Sequence, residues 1–162
     1  MVSIEYASKD RRLIARSDLS PYLQWIWERH FSDVPRVNEV VIDYTYPWKS
    51  RLGRIRLLSD SRTCIGINTL LQLPSIPEVV LFITIAHELT HYAHGFGSPL
   101  PQKYAFPHAH QVVNKELRQR NLGESLIECE SWIGEHWYSF YEQQRSSGWP
   151  GIAAPRRRKK TL

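Results

Sequence analysis

The hydrophobic and polar positions in the first part of the chain follow a helical pattern and then several strand-like ones. Ser20-Pro21 precedes an aromatic-rich helical segment, which predicts a helix with Ser20 as its N-cap and an end near Phe31. β-Branched and aromatic residues then concentrate in three runs, at 37–46, 54–57 and 63–68. These runs predict two or three strands that pair in a mainly antiparallel sheet.

The segment that follows is apolar on nearly every side and predicts a buried central helix. Pro77 and Glu78 suit its first turn, because proline has no N–H to leave unpaired there and glutamate complements the positive end of the helix dipole. The apolar pattern continues to about His94, and Gly95 stands where a glycine commonly ends a helix.

The rest of the chain predicts a loop and two further helices. Residues 95–107 include two glycines and three prolines, which indicates a loop that could act as a lid. Helical patterns cover 108–120 and 124–144. The expected architecture is therefore an α+β domain at residues 1–150, in which a small, mainly antiparallel sheet packs on the buried helix and other helices flank it.

Composition changes this interpretation only at the C-terminus. The chain is 42% hydrophobic and 23% charged, its apolar runs are too short to span a bilayer, and its two cysteines indicate no disulfide framework. We therefore expect a soluble, cytoplasmic protein with no membrane partner. The net charge of +5 equals the charge of one basic run, formed by Arg156, Arg157, Arg158, Lys159 and Lys160. Residues 151–162 are expected to be a disordered basic tail, which either contacts DNA phosphates or aids solubility.

Residues 87–91 read His-Glu-Leu-Thr-His and match the H-E-x-x-H pattern. Positions four apart share one face of a helix, so His87 and His91 can bind one ion, for which zinc is the expected metal. Zinc lowers the pKa of a bound water and polarises a carbonyl, and Glu88 is predicted to accept the proton of that water as general base. The alternative is that both histidines bond to neighbouring backbone while Glu88 forms an ion pair. The cost of burying such groups unpaired favours the metal.

Several residues are candidates for the third metal ligand. His94 lies at the predicted helix end, where a capping or supporting role is more typical. His108 and His110 lie beyond the loop, at the start of the next predicted helix. Glu128 and Glu130 lie on the last predicted helix, and a glutamate from such a helix is a ligand in other zinc peptidases. The residues by themselves leave these candidates open.

Together these motifs resemble the SprT-like (Spartan-related) family of zinc metallopeptidases. The resemblance covers residues 48–117, rather under half of the chain. It is carried by Trp48, Arg51-Leu52-Gly53, Ile65-Gly66-Ile67-Asn68, Pro77-Glu78, His87-Glu88-Leu89-Thr90-His91 and His108. It implies a zincin-like fold, hydrolysis of peptide bonds, and His108 as the third ligand. Val112 carries the family's apolar residue four positions after His108, whereas the same spacing from His110 falls on Asn114.

The chain departs from the family pattern in two places. Ala109-His110-Gln111 stands where the family has a small turn and a large aromatic residue, and the C-terminal four-cysteine zinc ribbon of many members is absent. The family's link to cleavage of DNA-associated proteins is therefore only suggestive for this chain.

The main prediction is a zinc metallopeptidase that acts on a protein or peptide, and two alternatives accompany it. The run Glu128-Cys129-Glu130-Ser131 faintly resembles the helix of phage- and repressor-linked peptidases whose third ligand is a glutamate, which would indicate a repressor-cleaving enzyme. The other alternative is a non-catalytic module that binds nucleic acid or a partner protein and uses zinc structurally.

Overall fold

The computed structural model describes residues 16–152, and within this range the chain forms four α-helices and one three-stranded sheet. In chain order the elements are α1 (Ser20–His30), β1 (Val40–Tyr44), β2 (Gly53–Leu57), β3 (Thr63–Ile67), α2 (Glu78–Ala93), α3 (Val112–Gln119) and α4 (Gly123–Ser146). Short 3-10 turns occupy Thr69–Gln72 and Ala109–Gln111. The α+β class is confirmed. The basic run of the tail lies outside the described residues.

The sheet is mixed, so the prediction of a mainly antiparallel sheet was wrong. The strand order is β1-β3-β2, with β3 in the centre. β1 runs parallel to β3, from Val40 opposite Thr63 to Tyr44 opposite Ile67. β2 runs antiparallel to β3 and pairs Gly53 with Ile67. After β1, the chain reverses direction and forms β2 at the other edge of the sheet. It then reverses again and forms β3 between the two, so β3 runs in the same direction as β1.

Helix α2 is the buried centre of the fold, as its pattern predicts. Its apolar side chains include the fully buried Leu81, Ile85, Leu89 and Tyr92. The helix lies against α1, α3, α4 and β2, which together surround most of it. Full burial of one such side chain contributes about 1.5–3 kcal/mol to stability. A helix held in this way is a rigid support for the polar residues that it carries.

The ends of α1 and α2 follow local chemistry. Pro77 is the N-cap of α2, and the helix stops at His94, where Gly95 takes a φ of +81° and the N–H of Phe96 bonds to the carbonyl of His91 at 2.9 Å. In α1 the expected cap is displaced by one residue. Ser20 is already helical, and its N–H donates to Asp18 Oδ1 at 3.0 Å.

Polar contacts tie α3 to α1 and to the end of α2. Arg120 donates to both carboxylate oxygens of Asp33, at 2.6 and 3.2 Å, and to the carbonyl of His30 at 2.7 Å. Glu116 lies between Arg120 and the buried His94, with its Oε2 at 3.1 Å from His94 Nε2 and 3.6 Å from Arg120 Nε. These contacts hold the helix that follows residue 108 at a set position on α2.

Residues 95–107 contain no helix or strand, as expected. The beginning of this loop is anchored, because Ser98 Oγ donates to the carbonyl of Tyr92 at 2.7 Å and Thr63 Oγ1 donates to that of Gly97 at 2.8 Å. Its later part is exposed, with Phe106 72% accessible. A lid role for the loop stays a prediction. Among residues 16–152, no helix has the length and the apolar character that crossing a membrane requires.

Candidate metal centre

Three histidine side chains converge at one point between two elements. His87 and His91 lie one turn apart on α2, and His108 lies in the segment that leads into α3. The Nε2 atoms of His87 and His91 are 3.0 Å apart, and one ligand nitrogen from each histidine lies within 4.8 Å of the others. Two nitrogens bound to one tetrahedral zinc ion stand about 3.3 Å apart. The observed spacing therefore suits a single ion.

Of the candidates for the third ligand, the structure brings His108 to the two helical histidines. Its ring centroid lies 4.7 Å from that of His91 and 5.4 Å from that of His87. His110 and Glu128 are exposed and are not part of this group.

The two remaining candidates have partners of their own. His94 is buried at the end of α2, against Glu116 and the ring of Tyr104, 4.9 Å away. Glu130 accepts a hydrogen bond from Asn114 Nδ2 at 3.0 Å, so its carboxylate connects α4 to α3. Both residues therefore support the helices around the histidine group.

The backbone between His108 and α3 takes an uncommon conformation. His110 and Gln111 have positive φ angles of 53° and 56°. For residues other than glycine such a conformation costs about 1–3 kcal/mol each, so packing of the neighbouring elements has to maintain it. The helix predicted at 108–120 consequently begins only at Val112. This turn separates His108, which lies beside His87 and His91, from helix α3, which begins at Val112.

Burial keeps the two helical histidines neutral. Desolvation lowers the pKa of His87 to about 4 and that of His91 to about 3, and repulsion by neighbouring histidines adds to both shifts. A neutral imidazole has a free lone pair on one nitrogen, which is the form that binds metal ions. At neutral pH the pair therefore presents donors for a cation and brings no positive charge of its own.

Glu88 lies beside the histidines with only 4% of its surface exposed. Burial raises the pKa of its carboxyl group to about 8, and the positive charge of Arg51 acts in the opposite direction. No hydrogen bond or ion pair joins this carboxylate to another side chain within residues 16–152, so the alternative of a Glu88 ion pair finds no partner there. A buried charge without a partner is costly, and a cation on the neighbouring histidines would offset that cost.

Strand β2 approaches Glu88 closely because residue 53 is a glycine. A Cβ atom at Gly53 would stand 2.7 Å from Glu88 Oε1 and 2.9 Å from Thr84 Cγ2. Contacts that short do not occur between relaxed atoms. Gly53 and Thr84 thus form two sides of the space that holds the carboxylate.

The histidines and Glu88 lie at the base of an open cleft of about 670 Å³. One wall is formed by residues 50–55, and α4 contributes the opposite wall. The α4 wall consists of Leu126, Cys129, Glu130 and Ile133. The lining is completed by Ile83, Thr84, Phe96, Pro107 and Asn114. A volume of this size is typical of ligand-binding clefts.

The aromatic residues of α4 mostly pack against the fold. Trp137 and Tyr141 are buried, Trp132 and Phe140 are partly buried, and only Tyr138 is largely exposed. Trp137 Nε1 donates to the carbonyl of Lys49 at 2.7 Å, which connects α4 to the segment before β2. None of these aromatic side chains lines the cleft, so they pack the helix against the fold and offer no surface to a ligand there.

Sequence reasoning assigned no cleft role to Thr84, Cys129 or the Arg51 side chain. Thr84 carries a usable signal, because it stands four residues before Glu88 and so shares its face of the helix. The other two reach the cleft through tertiary packing.

Compared with protein-family models, with curated proteins and with solved structures, the chain matches none of them.

Proposed function

We propose that this chain is a zinc metallopeptidase, in which His87, His91 and His108 hold the metal and Glu88 is the general base. The observation that carries the proposal is the buried carboxylate of Glu88, which lacks a partner among the described residues and adjoins three converging imidazoles. An acid in that position has a function in hydrolysis, whereas a purely structural metal site has no need of it.

The donor set fits zinc at a catalytic site. Three imidazole nitrogens match the zinc preference for nitrogen ligands, and catalytic zinc sites typically combine three protein ligands with one open position. Structural zinc sites are closed by four protein ligands. The histidine group opens onto the cleft, which supports a catalytic role over a structural one.

The metal and Glu88 have separate roles in the proposed hydrolysis. Zinc, when bound, supplies a Lewis acid that lowers the pKa of water and polarises the scissile carbonyl. Glu88 accepts the proton as the water oxygen attacks the carbonyl carbon, and it returns this proton to the leaving amine when the C–N bond breaks. Burial raises the pKa of this carboxyl group to about 8 without a metal, and a bound cation would lower it again, into the range in which a general base works near neutral pH. β2 is an edge strand of the sheet, and its first three residues line the cleft. An extended substrate can therefore lie beside it.

The direct test is to measure zinc per chain together with hydrolysis of denatured casein. We expect one zinc ion per chain, hydrolysis that stops when a chelator removes the ion, and recovery when zinc is returned. A protein that binds no zinc, or that cleaves casein equally well without it, would contradict the proposal. Fragment analysis by mass spectrometry identifies the cleaved bonds and excludes a contaminating peptidase, whose activity would not follow the zinc content.

We expect Gly53→Ala to lower kcat for casein-derived peptides by roughly 10- to 100-fold without loss of zinc. The new methyl group would stand 2.7 Å from the far end of the Glu88 side chain, which can move aside, and 2.9 Å from Thr84 Cγ2, which requires a small shift of β2. The base therefore leaves its position. Steady-state kinetics and zinc content provide the measurement.

Gly134→Ala is the matched control for this variant. Gly134 lies in α4, and a Cβ there meets nothing within 4 Å. The control should keep the kcat of the wild type and gain about 1 kcal/mol of stability from the better helix propensity of alanine. If Gly53→Ala also kept its kcat, contact with β2 would not determine the position of Glu88.

A further inference from the structure

The segment that forms one wall of the cleft is strongly basic. Lys49, Arg51, Arg54 and Arg56 occur within eight residues that include no acidic residue. Lys49 lies 3.8 Å from the carboxylate of Glu142. Within the described part of the chain, the three arginine side chains form neither an ion pair nor a hydrogen bond, although carboxylates are present on the neighbouring α4.

Arg51 is the arginine placed nearest to the proposed chemistry. It lines the cleft two residues before Gly53, whose backbone contacts Glu88, and its charge acts on that carboxyl group. Its guanidinium carbon lies 5.9 Å from the ring centroid of Trp48, which gives the side chain a surface to rest on. Arg54 also belongs to the cleft lining, but only Arg51 acts on the Glu88 carboxyl group, and Arg56 lies outside the lining.

Within the described residues, no ion pair joins Arg51 to the α4 wall. Leu126, Cys129 and Ile133 are apolar, and the one carboxylate of this wall, Glu130, is hydrogen-bonded to Asn114 and not to Arg51. An exposed guanidinium beside a reacting centre is a binding group for a carboxylate, which it can hold through two parallel hydrogen bonds. The cleft thus combines one cationic wall with one mainly apolar wall.

We propose that Arg51 binds a carboxylate of the substrate peptide close to the scissile bond. The carboxylate belongs either to an aspartate or glutamate side chain or to the C-terminus of the peptide. The inference rests on the proposed peptidase function, and it assigns to that function a class of substrate: peptides with an acidic group beside the cleaved bond and an apolar residue towards α4.

Matched peptides test this assignment. A peptide that the wild type cleaves in casein is synthesised with a fluorophore and a quencher, with glutamate or glutamine at each position next to the cleaved bond, and with a free or an amidated C-terminus. We expect the carboxylate form at one position to raise kcat/KM by about tenfold through a lower KM, which corresponds to one charge-assisted interaction. The position at which the preference occurs identifies the source of the carboxylate.

Arg51→Gln should reduce this ratio to near one. Arg56→Gln is the matched control, because Arg56 has the same charge and exposure on the same segment but does not line the cleft, and it should keep the ratio. Wild-type cleavage without any preference for a carboxylate would overturn the inference and leave the peptidase function intact. An equal fall of kcat on both peptides in Arg51→Gln would also overturn it, since Arg51 would then act on the reaction and not on a substrate carboxylate.

A binding measurement separates this inference from the peptidase function. Fluorescence anisotropy is recorded for a fixed set of labelled casein segments, chosen without regard to cleavage and each made with glutamate or with glutamine at one central position, with the Glu88→Gln protein and with the Glu88→Gln, Arg51→Gln double variant. Preferential binding of the glutamate peptide that Arg51→Gln removes supports the inference even if the wild type cleaves no peptide, in which case only the peptidase function fails. Equal binding of both peptides by the Glu88→Gln protein, without cleavage by the wild type, would reject both proposals.

Discussion

Glu88→Gln is expected to lower kcat for peptide hydrolysis by about 10²- to 10⁴-fold while one zinc remains bound per chain. Glutamine has nearly the shape of glutamate, so it fits the space between Gly53 and Thr84, but its amide cannot accept the proton of the attacking water. In the metal-free protein, burial raises the pKa of the Glu88 carboxyl to about 8, so folding at neutral pH requires the uptake of a proton that the unfolded chain has released, and glutamine removes this cost. The melting temperature should therefore stay the same or rise.

Glu130→Gln is the control for this variant. Glu130 lines the opposite wall of the same cleft, and the amide oxygen of a glutamine there can still accept the hydrogen bond from Asn114. We expect this control to keep kcat within a few-fold of the wild type. Full activity in Glu88→Gln would show that Glu88 is not the base, and an equal loss in Glu130→Gln would show that the loss is not specific to Glu88.

The second large effect is expected from His108→Ala, which should weaken zinc binding by more than about 100-fold. His108 is exposed and contributes nothing to the core, so the variant should remain folded. His91→Ala is less informative, because His91 is buried on α2 and its loss would also leave a cavity. Zinc content after gel filtration and competition with a chelating dye measure the affinity.

Two further variants decide between the candidate third ligands. His110→Asn should keep its zinc, and asparagine is chosen because it tolerates the positive φ angle at this position better than alanine does. Glu128→Gln should also keep its zinc. Loss of zinc in Glu128→Gln, with retention in His108→Ala, would instead support the alternative site whose third ligand is a glutamate.

Local patterns in the sequence were sufficient for much of the fold. The α+β class, the buried helix that begins after Pro77 and ends before Gly95, and the three strand regions all follow from periodicity and from residues with strong conformational preferences. The relative positions of His87, Glu88 and His91 also follow from the local sequence. Helix geometry alone places the two histidines on one face, whatever the rest of the chain does.

Tertiary packing decided what depends on residues that are distant in the chain. Whether β1 runs parallel or antiparallel to β3 depends on the path of the chain across the sheet. The position of His108 depends on the two residues with positive φ angles, His110 and Gln111, whose conformation the packing of α3 maintains. The close approach of Gly53 to Glu88 and the placement of Arg51 in the cleft wall likewise require β2 to lie against α2. Periodicity reports only interactions within a few residues, so the sequence by itself determined the helical half of the candidate site. The position of its third histidine and of its walls was decided by contacts between elements far apart in the chain.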